Sequence, residues 1–577
     1  MRQAKRTSEW DVFGVRLRRA AARALARTVA LFTRRPVTAV PTRILFAPET
    51  IIEPQLDIAE DIYAGIFTLA GETVDTHGAS PFDTRPPSEE WARALHSFAW
   101  LVHLEASATE LSSSNARALF DDWLQSASAT GPLANEPTVI AARVTAWLVE
   151  APLLLNGAPA AFRHSYLRTL GRQLRRLERG IDRLPSGLER LRAVAALALA
   201  GVCVADEARL MRTGLALVTA ELAAQILPDG GHRSRSPAAL LDALAVLVPL
   251  REALVRRRVE IPHALADPID RMLPMLRFFR LGDGRLAPFH GAGATPAEAV
   301  DAVLAFDDTQ GTAAPNARYT GFQRLEDAGT VVVVDTGTVP PPGFGDTAHA
   351  SALAFAVSAG GDPIIVNCGP LGTVRPEWVD AARETAAHST LVLAGASSAR
   401  IASPSLAPFI GTPLVAGPRE VPVTREANAV SAQHDGYRAR FGLLHQRRLV
   451  LMPGGRTLHG EDRLTGDGRL DRLAFALRFH IAPTVRVRLH PSRRQAILAL
   501  PNGALWIFTV DEGPPIAVDD SISVTAPGEA QRARQLVIGG NALTDHTIRW
   551  HLAQRAAPLP PDSLPSDPAS PPPEAET

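Results

Sequence analysis

Polar residues set inside apolar segments are where this chain could do chemistry. His349 lies in Gly345-Asp-Thr-Ala-His-Ala-Ser-Ala-Leu-Ala-Phe355, and His388 in Arg383-Glu-Thr-Ala-Ala-His-Ser-Thr-Leu391. Asn367 follows Ile364-Ile-Val366. Two imidazoles and an amide oxygen from successive strand-like units could hold one divalent ion, zinc or calcium, with the amide a weaker ligand than a carboxylate. The plainer alternative is that each side chain caps a loop and bonds to backbone. His232 ends the turn Pro228-Asp-Gly-Gly-His232, and Arg233 and Arg235 follow it ahead of a helix starting near Pro237. Guanidinium groups beside a helix N-terminus favour an anion such as a uronate or sulfate. The alternative is two surface arginines balanced by nearby acids. Tyr437 closes Gln433-His-Asp-Gly-Tyr437 and could offer a phenol to a cleft, or pack at a strand edge with its hydroxyl satisfied.

No generic motif assigns these residues. The chain has no phosphate-binding Walker loop, no dinucleotide glycine fingerprint, no His-Glu-x-x-His and no Gly-x-Ser-x-Gly elbow. Glu461 and Asp462 are an acid pair, but adjacent residues on one strand face opposite sides.

Two kinds of element must position the candidates. Ala and Leu recur at helical spacing over residues 90–280, in segments such as Ala141 to Leu155, Leu188 to Val204 and Ala238 to Val255. Pro and Gly separate the segments, as at Pro185-Ser-Gly187 and Pro228-Asp-Gly-Gly231. Successive antiparallel helix pairs predict a bundle or toroid. From about Phe322 the units become short, β-branched and turn-bounded, such as Thr330-Val-Val-Val-Val-Asp335 and Leu505-Trp-Ile-Phe-Thr-Val510. These predict an antiparallel sandwich. Helices followed by strands, unmixed, exclude a βαβ sheet. Trp100, Trp123 and Trp147 fall on apolar helix faces and read as core.

Composition bounds the rest. The chain has 577 residues, too many for one ordinary domain. Lys+Arg and Asp+Glu are both 60, which argues against a nucleic-acid partner. The two cysteines, Cys203 and Cys368, exclude a disulfide framework. No apolar run is long enough for a transmembrane helix. Residues 1–36 carry nine arginines and Lys5 against Glu9 and Asp11. Arg23 and Arg27 interrupt the apolar stretch there, so it is no normal signal peptide. It reads as a solvated helix, with contact to an anionic membrane surface as the alternative. Eight prolines in Ala557 to Thr577 predict a disordered tail. The resulting division is a basic segment 1–45, a helical domain 46–290, a linker 291–321, a sandwich 322–556 and a tail 557–577. Oligomeric state is not encoded legibly.

An ordered series of segments resembles the heparinase II/III-like family of polysaccharide lyases. They are Leu95-His-Ser-Phe-Ala-Trp-Leu101, Gln225-Ile-Leu-Pro-Asp-Gly-Gly-His232, the His349 strand through Gly361, Ile364-Ile-Val-Asn-Cys-Gly369, Thr385-Ala-Ala-His-Ser-Thr-Leu391, His434-Asp-Gly-Tyr437 and Leu458-His-Gly-Glu-Asp-Arg-Leu464. The resemblance spans roughly residues 85–555. It implies an N-terminal α/α toroid followed by a C-terminal antiparallel β-sandwich. It also implies β-elimination on an acidic, uronate-containing polysaccharide, a nearby divalent metal, and export to the cell envelope or periplasm. Without a normal signal, a cytoplasmic location is the alternative.

Elimination needs a neutralised C5 carboxylate, a base for its α-proton and an acid for the leaving oxygen. The family's His-x-His-x-Asp strand reads Thr347-Ala-His349-Ala-Ser351 here, so the usual histidine base is Thr347. The metal-side aspartate is Asn367, and the later histidine is kept as His388. The usual Asn-His pair falls near Leu188-Glu189 and the usual Tyr near Ala239. The proton acceptors left are His232, His349 and His388, with Arg233, Arg235 and Tyr437 for substrate and His349, Asn367 and His388 for metal. The expected activity is a polysaccharide lyase dependent on His232. The rivals are a silent relative that binds an acidic envelope polysaccharide and, last, a hydrolase using Glu461 and Asp462.

Overall fold

A computed structural model describes residues 41–107, 109–293, 295–307, 311–402, 413–466, 473–526 and 528–555. Most of the basic N-terminal segment and all of the Pro-rich tail 557–577 lie outside the described residues. The main helices run from Leu56–Tyr63 to Ala297–Leu304, the two large sheets occupy residues 316–554, and two short helices, Val379–Arg383 and Arg438–Phe441, lie among the strands. The toroid-then-sandwich order is the one expected.

The helical half is built on close helix pairing. Leu188–Cys203 and Ala208–Gln225 lie against each other through glycines. A Cβ on Gly201 would sit 2.1 Å from the Met211 nitrogen, and one on Gly214 would sit 2.5 Å from the Ala198 Cα. Only glycine permits that approach. Phe98, Trp100, Trp123 and Trp147 interlock at centroid distances of 5.3–5.7 Å, so the tryptophans are core, as read. One element was not foreseen. Ile66–Leu69 and Glu72–Asp75 form a hairpin whose two turn residues, Ala70 and Gly71, both have positive φ. A helix, Ala297–Leu304, also lies in the stretch read as linker.

The sandwich has two antiparallel sheets. One orders Val423–Arg425, Ala429–His434, Leu443–Leu451, Thr457–Gly466, Thr547–Gln554, Leu505–Glu512, Gln495–Ala499 and Arg486–Leu489. The other runs from Ile516–Ala526 through Glu529–Asn541, Ala474–Ile481, Asp362–Val366, Phe355–Ala359, Thr330–Asp335 and Phe322–Asp327 to Asn316–Ala317. Phe355, Phe479, Phe508 and Trp550 stack between the sheets.

The strand Thr330–Asp335 explains how the domains join. All six residues are buried. Val332 and Val334 face the sandwich core, while Val331 and Val333 join the toroid core. A strand covered on both faces needs no polar alternation, hence the unbroken valines. Each buried valine contributes about 1.5–3 kcal/mol. Residue 335 falls on the toroid side of that alternation, and it is an aspartate.

Candidate functional site

The loop between Ala208–Gln225 and Pro237–Arg256 meets the sandwich here. It folds back on itself: Leu227 N–H donates to Gly231 O at 2.8 Å, and Arg233 N–H to Gln225 O at 2.7 Å. A Cβ on Gly230 would fall 2.1 Å from Arg271 O, and one on Gly231 would fall 1.8 Å from Thr320 Oγ1. Both glycines are therefore required by contact. The Asp229 carboxylate accepts from Tyr319 N, Thr320 N and Thr320 Oγ1, each at 2.7 Å. Ser236 caps the following helix, and Pro237 opens it.

His232 is buried and fully engaged. Ser234 N–H donates to its Nδ1 at 3.1 Å, so Nε2 carries the proton and donates to Gln225 Oε1 at 3.0 Å. Burial, and then the charge of Arg233, lower its pKa to about 4. Arg235 is likewise committed. It donates to Thr320 O and Thr338 O at 2.7 Å, to Gly321 O at 3.1 Å, and to the Asp335 carboxylate. Arg235 thus binds the sandwich rather than a ligand. Arg233 differs: its guanidinium is half-buried 5.8 Å from the Phe344 ring, and its Nε has no hydrogen-bond partner among the described residues.

Asp335 anchors a histidine series that the sequence reading missed in part. It accepts from Ser351 Oγ at 2.6 Å, and its Oδ2 lies 3.2 Å from His290 Nε2, off the line of a well-formed hydrogen bond. Burial alone would raise the Asp335 pKa, but Arg235, His290 and Ser351 hold it well below the usual range. His290 Nδ1 accepts from the His349 backbone N–H at 3.1 Å. His388 Nδ1 donates to Glu384 O at 2.8 Å, leaving Nε2 to accept from His349 Nδ1 at 3.1 Å. Each imidazole is neutral, with its tautomer fixed by its neighbours. Burial lowers the pKa of all three; His388 falls to about 4. His349 Nε2 is the lone pair of this trio without a partner among the described residues.

Asn367 holds the loops around this series. Its amide donates to Pro288 O at 3.0 Å, and its Oδ1 accepts from Ser389 N–H at 2.9 Å. His349 and His388 thus meet as expected, but each end of the Asn367 amide is already bonded. Among the described residues no three His, Cys, Asp or Glu side chains are grouped to hold a metal. As they stand, the two imidazoles share a hydrogen bond at 3.1 Å and both ends of the Asn367 amide are bonded elsewhere, so a divalent ion would have to displace the shared proton and turn the amide.

A second buried cluster lies inside the sandwich. Asp462 accepts from His445 Nε2 and Arg447 Nε, both at 2.8 Å, and from Trp550 Nε1 at 2.9 Å. Arg447 also reaches Leu353 O at 2.6 Å and Ser389 O at 2.8 Å, beside His388. Burial opposes the Asp462 charge, but Arg447 and His445 draw its pKa down to about 2. Glu461 faces outward to Arg549 at 2.8 Å, so the two acids do not share a site. Tyr437 is buried and donates to Leu391 O at 2.6 Å, and burial raises its pKa. It offers no phenol to a cleft.

The positions that face chemistry in the resemblance offer none here. Thr347 is exposed, Ala239 is buried, and Glu189 bonds Arg192 at 2.9 Å. Of the sequence-selected residues, the structure joins His349 to His388 directly and seats Asn367 on the residue after His388. It places His232, Arg235 and Tyr437 in separate structural bonds. His290, Asp335 and Ser351 were not singled out. The signal for Asp335 was an acid ending a run of four valines.

Helical toroid, two-sheet sandwich and a polar junction between them define a heparinase-type architecture. The description "Heparinase II/III-like, C-terminal" matches residues 309–553. FtsZ-localized protein C of Caulobacter vibrioides is 31% identical over 515 residues, covering 86% of this chain and 87% of that protein. The chain belongs to the heparinase II/III-like family. Among solved structures it is similar in fold to the heparan sulfate lyase HepC of Pedobacter heparinus, at TM-score 0.57 and 16% identity over 94% of this chain and 89% of that one. A heparinase III gene product gives TM-score 0.64 at 15% identity over 94% and 90%. No helix among the described residues is long and apolar enough to cross a membrane.

Proposed function

We propose that this protein is a heparinase-fold binding protein that has lost elimination chemistry and is recruited to FtsZ. The observation that carries the first part is the state of the histidines. His232 and His388 are neutral, buried and bonded at both ring nitrogens. A base must reach the C5 proton within about 2.6–3.2 Å in a productive complex, and these two have no free lone pair to offer. The neutralising amide of the resemblance has no counterpart at Leu188-Glu189. Arg233 with Phe344 supports retained affinity for an acidic group, such as a uronate carboxylate, at the domain junction. The FtsZ part rests on likeness to FtsZ-localized protein C along most of both chains.

The test has two arms. Purified protein is incubated with heparin, heparan sulfate and other uronate polysaccharides, and unsaturated uronate is followed by ultraviolet absorbance. No product is expected, while saccharide binding is lost in Arg233→Ala. A fluorescent fusion is then imaged with labelled FtsZ, and coincident bands are expected. Polysaccharide cleavage abolished by His232→Ala would restore the lyase reading. A diffuse fusion would remove the recruitment reading.

One observation favours the lyase as second reading. His349 Nε2 keeps an unbonded lone pair, and His349 is 7% exposed against 1% for His388. A lyase working through it would lose activity in His349→Gln and keep it in His232→Gln.

A further inference from the structure

The far edge of the sandwich carries an unbalanced charge. Between Asp471 and Asp511 the sequence holds six arginines and no Asp or Glu. Four of them, Arg486, Arg488, Arg493 and Arg494, gather at the edge strand Arg486–Leu489 and its turn. This strand ends the eight-stranded sheet and pairs on one side with Gln495–Ala499. Arg486 and Arg488 are exposed, and neither has a carboxylate partner among the described residues. Arg493 and Arg494 donate to the carbonyls of Ile516 and Gly513, so their charges are uncompensated too.

The backbone of this edge is also open. His490 N–H donates to Gln495 O at 2.9 Å and closes the hairpin. Antiparallel pairs alternate, so Arg488 and Arg486 bond inward and the N–H and C=O groups of Val487 and Leu489 point to the open side. On the sheet face beside the arginines stand Ile497, Ala499 and Ile507, all partly exposed. The edge strand itself thus offers two arginines without a carboxylate partner among the described residues, an apolar strip and unpaired backbone, with Ile516–Ala526 of the other sheet beside it.

We propose that the strand Arg486–Leu489 is a docking edge for an extended acidic peptide, which adds as a ninth strand and sets its carboxylates against Arg486 and Arg488. Main-chain bonds supply affinity in such additions, and alternate side chains supply selection. Cationic edge residues repel a second copy of the same edge and admit a chain of opposite charge. An acidic polysaccharide fits less well. The outward residues Gln495, Ile497, Ala499, Ile507 and Thr509 include no aromatic ring for a sugar to stack on. This site lies apart from the domain junction and does not depend on the function proposed above.

The test uses the full chain and a fluorescein-labelled decapeptide of alternating Glu and Val. Anisotropy should rise with this peptide and not with its Lys/Val counterpart. Arg486→Glu with Arg488→Glu should weaken binding about tenfold or more, and the double Lys variant should stay within a few-fold. Val487→Pro removes an outward N–H that no backbone bond of the fold uses, and should weaken binding similarly, with a melting temperature lowered only by the side-chain packing lost against the sandwich core. Hydrogen exchange on the wild-type chain should show Val487 and Leu489 slowed by the peptide. This readout decides the matter if the proline variant does not fold. Peptide binding indifferent to charge reversal, or binding without protection of those two amides, would overturn the proposal. A heparin oligosaccharide that binds there while the peptide does not would also overturn it.

Discussion

Arg235 of the toroid loop and Asp335 of the sandwich strand form a buried ion pair across the domain junction. Both partners are buried. Arg235 spends its other donors on three carbonyls of the sandwich, and Asp335 its other positions on Ser351, Gly337 and His290. In a site predicted to hold an anion from outside, the protein supplies its own carboxylate.

Breaking that pair on one side should loosen the two halves together. Removing one partner of a buried pair leaves the other charge uncompensated, at a cost of about 3–5 kcal/mol. Arg235→Ala and Asp335→Asn should each show that loss in urea denaturation. Arg233→Ala, two residues away and half-exposed, should stay within about 0.5 kcal/mol. Equal effects at 233 and 235 would contradict the assignment of Arg235 as a domain clamp.

Stability should fall in mild acid. His232, His388 and His480 have pKa values lowered from 6.5 to about 4, 4 and 3. The unfolded chain therefore binds more protons than the folded one below pH 6.5. By linkage, their contribution is complete above pH 6.5 and is lost as pH drops toward 4. A shift of one unit is 1.36 kcal/mol, so His232 and His388 each account for at most about 3 kcal/mol, and His480, whose loss continues toward pH 3, for at most about 5 kcal/mol. Asp335 and Asp462 have depressed values and act in a lower window, losing their stabilisation only below pH 4. Urea midpoints at pH 7.5, 5.5 and 4.5 should decline steeply. A flat profile over that range would mean the histidines are hydrated or already charged.

The fold was legible because its period is local. Leu and Ala at helical spacing and valine runs are read directly from neighbouring residues. The Ile66–Asp75 hairpin was missed because its strands have only four residues each, although Ala70-Gly71 between β-branched residues was a usable turn signal. The site was legible as a set of residues and not as a set of roles. His349 and His388 were grouped with Asn367 as ligands of one ion, and the two rings meet across 39 positions in a hydrogen bond. What His232 and Arg235 do depends on Gln225, Ser234 and Asp335, and the last of these is 100 positions away in sequence. Charge and chemistry type say that an arginine seeks an anion. They do not say that the anion is the protein's own.

Gly231 offers a check on the junction that involves no charge. Its Cα faces Thr320 so closely that a β-carbon would overlap the Thr320 hydroxyl and methyl. Thr320 cannot withdraw freely, because its Oγ1 and N–H both serve Asp229. Gly231→Ala should cost about 1–3 kcal/mol as an overpacked contact. Thermal melts of Gly231→Ala and Gly231→Ala/Thr320→Ser should both fall below wild type, with the double variant higher than the single if the methyl is part of the clash. No change in the single variant would mean the loop sits farther from the sandwich.

Asn367 decides the metal question. Its amide donates to Pro288 O and accepts from Ser389 N–H, and a carboxylate at that position could only accept. Wild-type protein should carry no stoichiometric zinc or calcium by elemental analysis, and a chelator should leave its melting temperature unchanged. Asn367→Asp should place an acceptor against the Pro288 carbonyl and lower stability by about 1–3 kcal/mol. Repulsion from that carbonyl would turn the carboxylate away from Pro288, and in the turned position it would supply the His349–His388 pair with an oxygen donor suited to zinc. Added zinc should therefore raise the melting temperature of Asn367→Asp and not that of the wild type. Zinc stabilisation of the wild type, reversed by chelator, would show that Asn367 leaves its bonds to serve a metal and that the histidine pair is held open for one.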